Sequence, residues 1–194
     1  MILIEKLLKK YIQMYPYEKA PKRALRFLNE GGGVFSNNIW LGHFTVSAWI
    51  VNPKKNKVLL THHKILNKWI QLGGHADGEQ NLLNVAIREA KEESGINKLS
   101  LLDEQVFDMD IHRVFGRKNE PSHLHYDVRF IFEANPKKEN IVVSSESFGV
   151  DWISIDKISK LNSEAKCIND SRVNKCVCPE LRTLGKTLSK QFSR

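Results

Sequence analysis

Cysteine is scarce. The chain has three in 194 residues, Cys167, Cys176 and Cys178, and three thiols cannot all pair. Cys176-Val177-Cys178 lacks CxxC spacing and nearby partner histidines, so neither a disulfide frame nor a thiolate zinc site is expected. Reduced thiols in a cytoplasmic protein are the expectation. Long apolar runs are missing as well. The longest, about Phe44 to Val51, is far short of a bilayer span, so no transmembrane helix and no membrane partner are expected. The apolar start Met1–Ile4 is interrupted by Glu5 and Lys6 before a signal-peptide core can form. Acidic residues are in the minority, 22 against 30 Lys plus Arg, which gives a formal charge of +8.

That excess has an address. Residues 1–40 carry seven basic and three acidic side chains, residues 135–194 carry eleven and seven, and residues 41–134 carry twelve of each. The middle is neutral and both flanks are basic. Such a balance suits an anionic partner, a nucleic acid or a phosphorylated metabolite, but equally a basic exterior with no partner at all. With 41% hydrophobic and 27% charged residues the chain is globular, and its length suits one domain with appendages.

The order of elements reads as α/β. Ile4, Leu7, Leu8, Tyr11 and Ile12 recur at helical spacing up to Pro16, and Pro21 opens a second helix that Gly31-Gly32-Gly33 ends. Strand texture then begins. Phe44–Val51 and Lys57–Thr61 flank a turn at residues 52–56, and Trp69–Leu72 enters Gly73-Gly74. Gln80–Ser94 reads as a helix started by Asp77 or Asn81 and capped by Gly95. Further strands are predicted near 99–108, 110–115, 123–134 and 150–155, and the tail from Asp156 reads as helical in two pieces. The expected division is a helical extension over 1–40, a core domain over 41–160, and a helical C-terminal extension over 161–194 packed on it.

On the predicted central helix, Glu89, Glu92 and Glu93 stand at i, i+3 and i+4, so their carboxylates share a face. Leu83, Ile87 and Ala90 form the apolar stripe expected to anchor the helix. A lone ExxEE is ordinarily a solvated acidic face. The spacing around it changes that reading. Gly74, Gln80 six residues on, and Arg88-Glu89-Ala90-Lys91-Glu92-Glu93-Ser94-Gly95-Ile96 resemble the Nudix box, GX5EX7REUXEEXGU, with U a bulky aliphatic residue. Gly74, Arg88, Glu89, Glu92, Glu93 and Gly95 are identities, and Gln80 replaces the first Glu. Either the adjacent Glu79 substitutes for that residue or the site runs with one negative charge fewer.

The resemblance implies an α/β/α sandwich with a mixed sheet over about residues 40–160, carrying a loop–helix–loop site. It implies that Glu89, Glu92, Glu93 and the Gly74 carbonyl hold Mg²⁺ or Mn²⁺, and that Arg88 orients a carboxylate. It also implies metal-assisted attack of water on a diphosphate. Glu146, on the loop before the Trp152 strand, sits where many relatives place the general base. The implied substrate is a nucleoside diphosphate linked to another moiety, or a nucleoside triphosphate. Removal of pyrophosphate from the 5′ end of RNA is a second enzymatic reading, and a non-catalytic nucleotide-binding regulator a third. The helical preface is expected to pack on its own domain, with a homodimer contact as the alternative.

One strand carries a further pattern. His123, His125, Asp127 and Arg129 alternate with Tyr126, Val128, Phe130 and Phe132, so the polar set shares one face. Two readings stay open. The face lines a substrate cleft, with Arg129 on a phosphate, His125 on a base or ribose and Asp127 beside them; or it is a polar network satisfied between strands. Asp108, Asp110 and His112 alternate in the same way on a neighbouring strand, where they imitate a second metal site but better suit cross-strand hydrogen bonding.

Overall fold

Two amphipathic helices open the chain, α1 (Leu3–Met14) and α2 (Ala20–Glu30), with a proline in the first turn of α2 where its missing N–H costs nothing. The computed structural model describes residues 3–36, 41–116, 121–158 and 161. These helices are not a loose preface. Ile4, Leu8, Tyr11, Ala24, Phe27 and Leu28 are buried in the same apolar cluster as Phe44 and Val46, and Phe27 stacks on Tyr126 with ring centres 4.1 Å apart.

The strands are β1 (Gly42–Val51), β2 (Lys57–His63), β3 (Lys68–Ile70), β4 (Leu72–His75), β5 (Ser100–Leu101), β6 (Asp108–Val114), β7 (His123–Glu133) and β8 (Ser147–Ser154). They form one mixed sheet in the order β3-β2-β1-β7-β5, with β4 on β1, β6 on β7 and β8 on β2. The β1–β7 pair is parallel and every other pair antiparallel. The predicted turn at 52–56 closes the β1–β2 hairpin, with Asn52 accepting from the backbone N–H groups of Asn56 and Lys57. Two expectations shift. The strand predicted over 99–108 shrinks to Ser100–Leu101, and Trp69–Leu72 splits at Gln71 between β3 and β4.

Helix α3 (Leu82–Ser94) begins at Asn81, whose side chain accepts from the Asn84 N–H. It ends at Gly95, whose φ of 70° lets its N–H reach the Lys91 carbonyl. Leu82, Val85, Ala86 and Ala90 are its buried apolar residues, while Leu83 and Ile87 are only partly buried. The anchoring stripe is therefore rotated from the predicted one, and Glu93 falls on its continuation. Alternation sets the two faces of the sheet: Phe44, Val46 and Ala48 join the α3 core, so His43, Thr45 and Ser47 face the other way. On that second face Trp49, Val51, Val58, Leu60, Phe107 and Ile131 cluster with Ile158. The predicted helical C-terminal extension, with Cys167, Cys176 and Cys178, lies outside the described residues apart from Leu161.

Candidate active site

Gly74 and α3 meet at van der Waals limits. A Cβ on Gly74 would lie 2.5 Å from the Glu89 carboxylate, so a larger residue there would displace that side chain. The Glu93 carboxylate accepts the Gly73 N–H at 3.0 Å. Strand β4 thus offers its backbone to two of the three carboxylates the helix presents. Glu93 is 8% exposed, and burial pushes its carboxyl up to about 7, with Glu89, Glu146 and Glu92 adding to the rise. Burial raises Glu89 too, against the pull of Arg88. Glu92 stays exposed at the rim.

Arg88 is held by three partners. Its Nη2 donates to Glu89 at 2.7 Å and to the His75 carbonyl at 3.1 Å, and Asp77 lies 3.8 Å away. The hydrogen bond to Glu89 keeps the guanidinium charged. Asp77 is a second acidic neighbour of Arg88, beside the departure at Gln80. Glu79 accepts the Asn81 N–H at 2.7 Å at the start of α3, and Gln80 is exposed. Asp77, in the turn before them, carries the second negative charge beside Arg88, a partner the spacing alone did not reveal.

The predicted residues divide into two groups. Gly74, Arg88, Glu89, Glu92, Glu93 and Glu146 come together: Glu146 lies on the loop before β8, close enough for its charge to act on Glu93. Arg129, Asp127 and His125 do not join them. Arg129 is 1% exposed and Asp127 3%, and the two are bonded at 3.0 Å. Arg129 also reaches Asp108 at 2.7 Å, and Ser47 donates to Asp127 at 2.9 Å. At this point the polar strand face is a buried cross-strand network, with Arg129 and Asp127 closed off from solvent. Gly74 faces α3, so its neighbour His75, like Asp127 and Arg129, belongs to the opposite face of the sheet. His125 sits there among His43, His75, His112 and His123, held neutral by burial and by those rings, with its pKa lowered to about 2.

An aromatic ledge near Glu146 was not foreseen. His62 stacks on Trp69 with centres 5.1 Å apart and meets Phe148 at 5.3 Å, and Phe148 is 62% exposed. The pairing of β2 with both β3 and β8 builds it. Phe148 is too far in sequence from His62 and Trp69 for any periodicity to mark the three together.

A mixed sheet with a carboxylate-bearing helix packed against a glycine-containing strand is the arrangement the box implies. The chain belongs to the NUDIX domain family, whose model matches residues 42–170. Among solved structures it is similar to the Nudix hydrolase RenU from M. smegmatis, at 18% identity and a TM-score of 0.53, covering 81% of this chain and 94% of that one. A Nudix-family hydrolase from Clostridium perfringens is 25% identical with a TM-score of 0.47, covering 77% and 97%. An Ap4A hydrolase from C. elegans is 18% identical with a TM-score of 0.49, covering 76% and 98%. No curated protein matches the chain.

Proposed function

We propose that this enzyme cleaves the pyrophosphate linkage of a nucleoside diphosphate joined to another moiety, or of a nucleoside triphosphate, with Mg²⁺ or Mn²⁺ as cofactor. The observation that supports it most is the convergence of Glu89 and Glu93 on the Gly73-Gly74 segment, with the charge of Glu92 acting on both. The donor set fits a hard divalent ion. Three carboxylates and a carbonyl are oxygen ligands, and two of the carboxylates are pushed upward by burial and mutual repulsion that a cation would relieve.

Glu89, Glu92, Glu93 and the Gly74 carbonyl would hold the metal, which when bound polarises phosphoryl oxygens and acidifies coordinated water. Arg88 fixes one oxygen of Glu89 and leaves the other to face the ligand. Glu146, on its loop beside Glu93, accepts the proton of the attacking water. The water oxygen bonds to phosphorus as the bridging P–O bond breaks, and the leaving phosphate departs with the bond pair. Phe148 offers its open ring to the nucleobase, a contact worth about 1–3 kcal/mol in stacking.

A hydrolysis screen of nucleoside triphosphates, dinucleoside polyphosphates, nucleotide sugars and 5′-triphosphorylated RNA tests the reading, with products identified and ¹⁸O water locating the attacked phosphorus. Magnesium-dependent cleavage is expected, with one ¹⁸O per turnover in the product that carries the attacked phosphorus. No turnover of any nucleotide diphosphate would overturn it.

A further inference from the structure

Five imidazoles meet on the sheet face turned away from α3. His43 lies near the start of β1, His75 ends β4, His112 is on β6, and His123 and His125 open β7. Register brings them together. His43 is the partner of His125 in the parallel β1–β7 ladder, and His112 faces His125 across β6–β7. The His43 ring centre is 4.9 Å from that of His123 and 4.8 Å from that of His125. One ligand nitrogen from each of these three lies within 4.8 Å of the others.

The protonation pattern is readable in part. His123 Nδ1 is 3.0 Å from the Pro121 carbonyl, which can only accept, so Nδ1 carries the hydrogen. In the neutral ring Nε2 then presents a lone pair, which accepts from Nε2 of His125 at 3.2 Å. Ligands about 2.0–2.1 Å from a tetrahedral zinc ion stand roughly 3.3–3.4 Å apart, so this edge is already at coordination length. A backbone carbonyl on the far nitrogen is also the support a metal-bound imidazole ordinarily has. The nearest carboxylates are engaged elsewhere: Asp127 with Ser47 and Arg129, and Asp110 with His112 at 3.2 Å. The donor set is therefore all nitrogen, which selects zinc and its neighbours over magnesium.

We propose that His43, His123 and His125 form a second metal site, distinct from the carboxylate cluster, that binds one Zn²⁺ through three imidazole nitrogens and ties the start of β1 to the start of β7. Half-buried His123 and His125 leave the fourth position open to water or an anionic ligand, whereas His43, 2% exposed, anchors the ion from within.

Calorimetry on the full chain with Zn²⁺, in saturating Mg²⁺, tests this. One equivalent should bind, and Co²⁺ should develop the intense visible bands of a tetrahedral site. His123→Gln and His125→Gln should each weaken zinc binding by at least about tenfold. Glu92→Gln and His62→Gln should leave it unchanged. Absence of zinc binding, or equal binding by His123→Gln, overturns the proposal. Loss of zinc in Glu92→Gln but not in His123→Gln would place the ion among the carboxylates and equally overturn it, without touching the hydrolytic reading. The cobalt spectrum of the unaltered protein keeps the test decisive if a variant fails to fold.

Discussion

At the scale of single residues, the proposed chemistry rests most on Glu93. Its carboxyl is pushed up to about 7 by burial, while in an unfolded chain it titrates near the ordinary carboxylate value. The folded protein without metal therefore holds a proton that the unfolded chain has lost between about pH 4.5 and 7, and its stability falls as pH rises through that window. In chelator, the stability lost between pH 4.5 and pH 8 in urea unfolding should be smaller in Glu93→Gln than in wild type, by on the order of 3 kcal/mol. Identical pH slopes would refute the assignment. Phe148 gives a second prediction at this scale. Phe148→Ala should raise KM for a nucleotide by about tenfold with kcat nearly unchanged, since stacking on a remote base binds ground and transition states alike; steady-state kinetics checks it. Neither residue stands out equally in the sequence. Glu93 was legible because its neighbours keep a fixed spacing along one helix. Phe148 was not, because His62 and Trp69 reach it only through strand pairing.

Helix α3 and its two glycines show the same division among elements. Gly95 was readable as a cap, and its φ of 70° and a would-be Cβ 2.7 Å from Val142 explain why. Gly95→Ala should destabilise the protein by about 1 kcal/mol or more, measured by urea denaturation, because alanine tolerates that φ poorly and Val142 must move. Gly74 acts by closeness and not by dihedral freedom. Gly74→Ala should cost activity far more than stability, since the added methyl displaces Glu89. The predicted substrate role of Arg129 illustrates what alternation alone leaves open. Period two placed Asp127 and Arg129 on one face correctly, but only the pairing of β7 with β1 and β6 supplies Ser47 and Asp108 as partners and closes that face. The parallel β1–β7 ladder is likewise what assembles the histidines, and no local signal in either segment announces it.

Across the whole molecule, the helical preface belongs to the main core. Leu8 is fully buried in the cluster that also holds Phe44 and Ala90, so Leu8→Ala should destabilise the entire domain by about 2–5 kcal/mol in a single cooperative transition, rather than releasing α1 alone. Sequence periodicity found both helices but could not tell an integral layer from an appendage, because that depends on which strands Phe27 and Tyr11 meet. The +8 charge also takes a more limited meaning. Its excess lies outside the segment 41–134 that carries the box, and the box cluster itself is acidic. Catalysis by the α3 carboxylates is the central claim, and steady-state hydrolysis of the best nucleotide substrate by wild type and Glu93→Gln, across a Mg²⁺ titration, tests it most directly. The account predicts a fall in kcat of at least about a hundredfold, the scale of losing a principal electrostatic contributor, with a weakened response to Mg²⁺. A Glu93→Gln enzyme with wild-type kcat and wild-type Mg²⁺ dependence would contradict it.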